Sequence, residues 1–174
     1  MFKQKRNPFV FLSLFLPVLA SLNACNKNQP LTPRLSPLIT SIKESVRIGE
    51  VTPLSGLDAG FGVSSHRGVE LAVRQINESG GINGKKIKLI KVDDGGLPGE
   101  ATWRANTLVN EMVLGVIGHL NSDTSISASE IYSMAMIAEI SPGSTKPLFT
   151  ERDKVHGYVF RTVGRDDQQG KTAA

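Results

Sequence analysis

Two short segments of this 174-residue chain gather the side chains best suited to holding a ligand. One is "HLNSDTS", residues 119–125, which follows the apolar run "VLGVIG". The other is "SPGSTKP", residues 141–147, which follows "AEIS". Ser122, Asp123, Thr124 and Ser125 sit where the first run turns into a helical pattern. The first N–H groups of a helix are unpaired and partly positive, so such a terminus attracts a carboxylate, and a serine hydroxyl adds a donor. Ser, Asp and Thr are also the ordinary N-cap residues, so a cap alone accounts for one of them without a ligand. Both readings stay open on these residues alone. What a cap does not explain is a second hydroxyl-rich loop expected on the same edge of the same sheet.

Other chemistries find less support. "GFGVSSHRG" carries Gly60 and Gly62 but has Ser65 where a dinucleotide fingerprint needs glycine. His66, His119 and His156 are scattered, with no partner at metal-ligand spacing, so no metal site is expected. No G-x-S-x-G occurs, and no serine has a sequence-evident base, so no catalytic residue is assigned and an enzyme is not expected. No cofactor is implied. Asp93–Asp94 after a strand could meet a cation, but such a pair more often reads as a solvated strand end.

The elements that must position the two loops follow from periodicity. "VRIGEVTPLSG" opens as a strand and is stopped by Pro53 and Gly56. Val69, Ala72, Val73 and Ile76 then recur on one helical face, Glu70 and Arg74 form an i,i+4 pair, and Gly80–Gly81 end the helix. Asn83–Gly84 turns the chain into "KKIKLIKVDD", whose lysines suit a strand near a sheet edge. A second helix through "EATWRANTLVNEM" has the stripe Ala101, Ala105, Leu108 and Met112, with Trp103 off it. "VLGVIG" reads as a strand buried on both faces. A third helix is predicted over roughly 123–138, then short strands at "AEIS" and "YVFRT", the last ending near "GRDDQQG". This alternation predicts an α/β fold, a parallel sheet with helices on both faces. Ligands in such sheets collect beyond the carboxyl ends of the strands, where both loops lie.

The region before Val46 has a different character. Lys3, Lys5 and Arg6 precede an apolar stretch from Phe9 to Leu22 and small residues before Cys25. That order reads as a secretory signal over residues 1–24, too short for a spanning helix. Residues 25–45, with Pro30, Pro33 and Pro37, read as a tether. Cys25 is the sole cysteine, so the chain forms no internal disulfide. The formal charge of +4 belongs to this leading part. From Val46 onward 14 basic residues face 15 acidic ones, which leaves no basic excess for nucleic-acid binding.

Several of these segments, taken in order, carry a family resemblance. "IGEVTPLSGLDAGFGVSSHRGVELAVRQINESGGINGKKIKLIKVDD", "VIGHLNSDTSISASEIY", "ISPGST" and "YVFRTVGRDDQQGKTAA" are similar to the opening of type I periplasmic binding proteins. The branched-chain amino-acid receptors of ABC transporters are the nearest group. "LNAC" resembles a bacterial lipobox, in which Cys25 is lipidated, although Asn23 is an unusual occupant. The resemblance implies a two-lobed clamshell that closes on an amino acid, with residues 46–174 as its first lobe and the second lobe beyond the chain. It implies that Ser122 and Thr145 hold the ligand carboxylate and that the Gly143 carbonyl helps hold the ammonium. Leu120, Asn121, Ser144 and Phe61 are expected to line the pocket. The implied partners are a small amino acid, an ABC permease and, through the lipid, the extracytoplasmic (periplasmic) face of a membrane. A ligand-sensing domain of a signalling receptor and an inert gene remnant are the alternatives; the signal and lipobox argue against a cytosolic α/β enzyme.

The sequence departs from the family's pattern in three places. Gly96 and Asn121 stand where several relatives carry a paired disulfide. Asp123 places a carboxylate beside the expected ligand carboxylate; pointing outward it improves the helix terminus, pointing inward it disfavours acidic ligands. The acid and aromatics expected of a second lobe are not within these residues, so residues 46–174 alone are expected to bind leucine poorly or not at all. A clear thermal shift with millimolar leucine would contradict that expectation.

Overall fold

The structure, a computed structural model, describes residues 45–152, 155 and 157–173. The signal, Cys25, nearly all of the tether, and His156 lie outside the described residues. Five parallel strands form the sheet: β1 (Ser45–Thr52), β2 (Lys86–Asp93), β3 (Gly115–Ile117), β4 (Ala138–Ser141) and β5 (Val159–Arg161), in the order β2-β1-β3-β4-β5. The connecting helices are α1 (Ala59–Glu78), α2 (Pro98–Asn110) and α3 (Ser122–Met134); a 3-10 turn (Pro147–Phe149) and a last helix, α4 (Asp166–Ala173), complete the elements.

Chain direction decides which face each helix covers. The connection from β1 to β2 moves one way across the sheet, and every later connection moves the other way. Parallel crossovers are right-handed, so α1 lies on one face and α2 and α3 on the opposite face. The lysine-bearing β2 is the edge strand, as its sequence predicts. The expected parallel α/β sheet with helices on both faces is therefore present.

The core lies on the α2–α3 face. Val51, Ala101, Ala105, Leu108, Val113, Val116, Ala128, Tyr132 and Ile137 are all buried there. Gly49 makes this packing close, because a Cβ at that position would stand 2.8 Å from a Leu108 methyl. On the other face the predicted stripe of α1 meets the sheet only in part. Val69, Ala72, Val73 and Ile76 border an apolar cavity of about 270 Å³ with Ile48, Ile87 and Ile140, and Ile76 and Ile140 are about two-fifths exposed.

Several boundaries differ from the sequence reading. Helix α1 begins ten residues before its apolar stripe, because the turn at Gly56 (φ 78°) already directs the chain into a helix. Helix α2 ends at Asn110, and Met112 leaves its stripe with φ 53° and two-fifths exposure. Helix α3 stops at Met134 rather than near 138, since Met136 takes φ 57° and ends the turn pattern. Residues 166–173, to which the sequence reading assigned no helix, form α4, with Asp166 and Asp167 in its first turn suiting the helix dipole. Glu70 pairs with His66 one turn earlier, at 3.1 Å, rather than with Arg74.

Candidate functional site

The strand order reverses direction between β1 and β3, and open α/β sheets place ligands at such a point. An open pocket of about 290 Å³ lies there, lined by Asp58 and Phe61 after β1, Leu120 and Asn121 after β3, and Gly143 after β4. Four of the seven residues expected at a ligand site, Phe61, Leu120, Asn121 and Gly143, thus border one cavity. Phe61 is 73% exposed, a large apolar ring left facing the opening. Gly143 lets the β3 and β4 loops approach closely, because a Cβ there would lie 2.7 Å from the Leu120 carbonyl oxygen.

Asn121 occupies the N-cap position of α3, yet its side chain makes no capping hydrogen bond. Its Nδ2 donates instead to Asp58 Oδ2 at 2.6 Å. Among the described residues the first-turn N–H groups of α3 have no side-chain acceptor, which leaves the positive end of the helix available to an anion. Ser122 Oγ accepts from the backbone N–H groups of Thr145 (3.1 Å) and Lys146 (3.3 Å). Those bonds occupy its lone pairs and leave the hydroxyl proton, which has no acceptor among the described residues, as a free donor. The Thr145 hydroxyl likewise has no partner among the described residues. Asp123 points outward: its Oδ1 lies 2.6 Å from Lys146 Nζ and the side chain is 65% exposed. Of the two readings of Asp123, the structure selects the outward one.

Ser144 departs from the expectation for its side chain. It is fully buried, and its Oγ lies 2.7 Å from both Ser125 Oγ and Ser141 Oγ. The Ser125 and Ser141 hydroxyls in turn reach the His119 carbonyl at 3.0 and 2.6 Å. Much of the hydroxyl density in the two loops therefore ties them to each other, and Ser122 and Thr145 are the hydroxyls left over. Arg161 reinforces the second loop by donating to the carbonyls of Ser144 (2.8 Å) and Lys146 (2.9 Å).

Beneath the loops lies a polar cluster that the motif reading missed. His119 Nδ1 is 2.6 Å from Asp94 Oδ2, both fully buried, and His119 Nε2 is 3.3 Å from Tyr132 Oη. Asp94 is thus an interior partner rather than part of a solvated strand end. Asp93 is engaged as well, accepting from the N–H groups of Leu54 and Gly95, both at 2.8 Å. Burial holds Glu139 well above the usual carboxylate range, against the opposing pull of the His119 N–H and the Arg152 charge. Its Oε2 has no hydrogen-bond partner among the described residues, which costs less for a neutral carboxyl than for a carboxylate. Across the sheet, burial also raises Glu50, although its 2.8 Å contact with His66 Nδ1 works the other way. The signal for both was an acid inside an apolar strand run, "IGEV" and "AEIS". Among the described residues no cluster of three or more His, Cys, Asp or Glu could hold a metal.

Comparison with known proteins bears on the family and the fold. Residues 45–174 match the family model described as "Periplasmic binding protein". The chain is 47% identical over 137 residues to an "Amino acid binding protein" of Pseudomonas aeruginosa, covering 78% of this chain and 36% of that protein. It is 40% identical over 136 residues to the Leu/Ile/Val-binding protein of Escherichia coli, covering 77% and 36%. Among solved structures, an ABC transporter substrate-binding protein from Desulfitobacterium hafniense in complex with Leu superposes with a TM-score of 0.65 at 37% identity, covering 75% of this chain and 37% of that one. The chain belongs to the periplasmic binding protein family, in its type I, branched-chain amino-acid group. That is a family of solute-binding proteins rather than enzymes, and the chain spans about a third of the length of the curated relatives it matches. Gly96 and Asn121, the pair for which the resemblance implies a disulfide in relatives, are neighbours: a Cβ on Gly96 would stand 3.9 Å from Asn121 Oδ1.

Proposed function

We propose that residues 46–174 form an amino-acid-binding lobe of an ABC importer's solute-binding protein. The observation that carries this reading is the uncapped start of α3 beside the free Ser122 proton. In it, the ligand carboxylate lies against the first N–H groups of α3, the Ser122 hydroxyl and the Thr145 hydroxyl. The Gly143 carbonyl accepts from the ammonium, and Phe61, Leu120 and Asn121 border the side chain. Ser144 acts from behind, by fixing the second loop. The ligand class is branched-chain or related amino acids, which the ligands named for several relatives support. The leading segment exports the chain, Cys25 receives a lipid that holds it at the extracytoplasmic face of a membrane, residues 26–45 are the tether, and the partner that receives the ligand is a membrane permease.

An NMR titration of the full chain with leucine up to tens of millimolar, the weak range expected of one lobe alone, tests the site. A hydrogen bond to a charged group contributes about 1.5–3 kcal/mol, so Ser122→Ala is expected to weaken leucine binding at least about tenfold. Equal binding by the variant would contradict the assignment. The anchor is checked separately by incorporation of labelled palmitate, expected in the parent chain and lost in Cys25→Ser.

A further inference from the structure

The pocket has one charged side chain, and the sequence motifs did not point to it. Asp58 stands at the N-cap of α1, where an aspartate ordinarily accepts from the helix N–H groups. Here it makes no side-chain capping bond. Its carboxylate turns instead to the pocket wall, where Asn121 Nδ2 is its hydrogen-bond partner at 2.6 Å. No ion pair joins it among the described residues. Asn121 has spent one of its two N–H donors on Asp58, and its own Oδ1 is enclosed without a partner among the described residues.

The order of the strands gives the pocket a direction. Asp58 follows β1, Ser122 follows β3, and Gly143 and Thr145 follow β4, so the sites for the carboxylate and ammonium lie toward β4 and Asp58 lies toward β1. A ligand seated by its α-carboxylate and ammonium on the β3 and β4 loops extends its side chain toward Phe61 and Asp58. There it meets Leu120, an aromatic ring and an unpaired anion. An aliphatic stem suits the first, and a positive end group suits the other two, through attraction to the ring face and to the carboxylate.

We propose that Asp58 is a specificity-determining residue that favours amino acids whose side chain ends in a positive charge, such as lysine, and rejects those ending in a carboxylate. This rests on the site reading above. The discriminating variant is Asp58→Asn, which keeps an oxygen to accept from Asn121 and removes the charge.

The test is an NMR titration of the full chain and of Asp58→Asn with lysine, leucine and glutamate. In the parent chain lysine is expected to bind more tightly than glutamate, with leucine as the uncharged reference. Ion pairs at partly exposed sites are modest, so the variant is expected to lose about fivefold for lysine and to change less than about twofold for leucine. Parallel losses for lysine and leucine would overturn the proposal, because they would place Asp58 on the α-ammonium that both share. An unchanged lysine affinity would overturn it too. If no amino acid perturbs the loops after β3 and β4 in either chain, the site reading itself falls, and this inference with it.

Discussion

The two faces of the sheet solve the same burial problem to different degrees. On one face α2 and α3 cover β1, β3 and β4, and Val51, Ala101, Ala105, Leu108, Ala128 and Tyr132 are fully buried. On the other, α1 is the one covering helix among the described residues, and Ile76, Ile140 and Phe160 stay between 40% and 47% exposed. Cohesion is therefore concentrated on the closed face, and that is where the helix bearing the uncapped terminus is anchored. Helix α3 is held there by Ala128 and Tyr132 packing into the core, with the polar cluster of His119 and Asp94 under its start.

The largest difference between the faces is expected from core truncation. Leu108→Ala on the closed face should cost about 2–5 kcal/mol in urea unfolding, the range for a fully buried leucine. Ile140→Ala on the open face should cost clearly less, about 1 kcal/mol, since much of that side chain already meets solvent. Comparable losses would show that the two faces are equally closed in solution.

A buried acid sharpens the comparison through pH. Glu139 keeps its proton in the folded state to a higher pH than in the unfolded chain, where it titrates near its ordinary value. Above that ordinary value the folded state binds a proton that the unfolded state has lost, so stability falls as pH rises toward the folded pKa. The slope for one such group is at most about 1.4 kcal/mol per pH unit. Urea unfolding between pH 5 and pH 8 should show this decline, and Glu139→Gln should flatten it. Glu50, on the open face, shifts in the same direction but is countered by His66, so Glu50→Gln should change the slope less. An unchanged slope in Glu139→Gln would place the pH dependence elsewhere.

Much of this architecture was legible in residue order. Edge-strand lysines, Gly80–Gly81 and the stripe from Ala101 to Leu108 each report a local constraint, and each held. The uneven cover was not legible, because the stripe of α1 looks the same in sequence whether or not a second helix lies beside it. The candidate site was found for a reason that proved partly different. Hydroxyl density drew attention to the two loops, yet Ser125, Ser141 and Ser144 spend theirs on one another. Asp58 escaped notice because its distinguishing feature is a capping bond it does not make, which only geometry reveals. Asp94 and His119 are 25 residues apart, and no spacing rule links them.

The most direct test of the central claim, that the start of α3 and the loop after β4 hold the ligand carboxylate, is a ¹⁵N-resolved NMR titration of the full chain with leucine. Concentration-dependent shifts are predicted at the Ser122, Asp123 and Thr145 amides, with those of Ala101 and Leu108 on the closed face unmoved. Shifts confined to the open face around Ile76 and Ile140, or none at the α3 start up to tens of millimolar leucine, would contradict it.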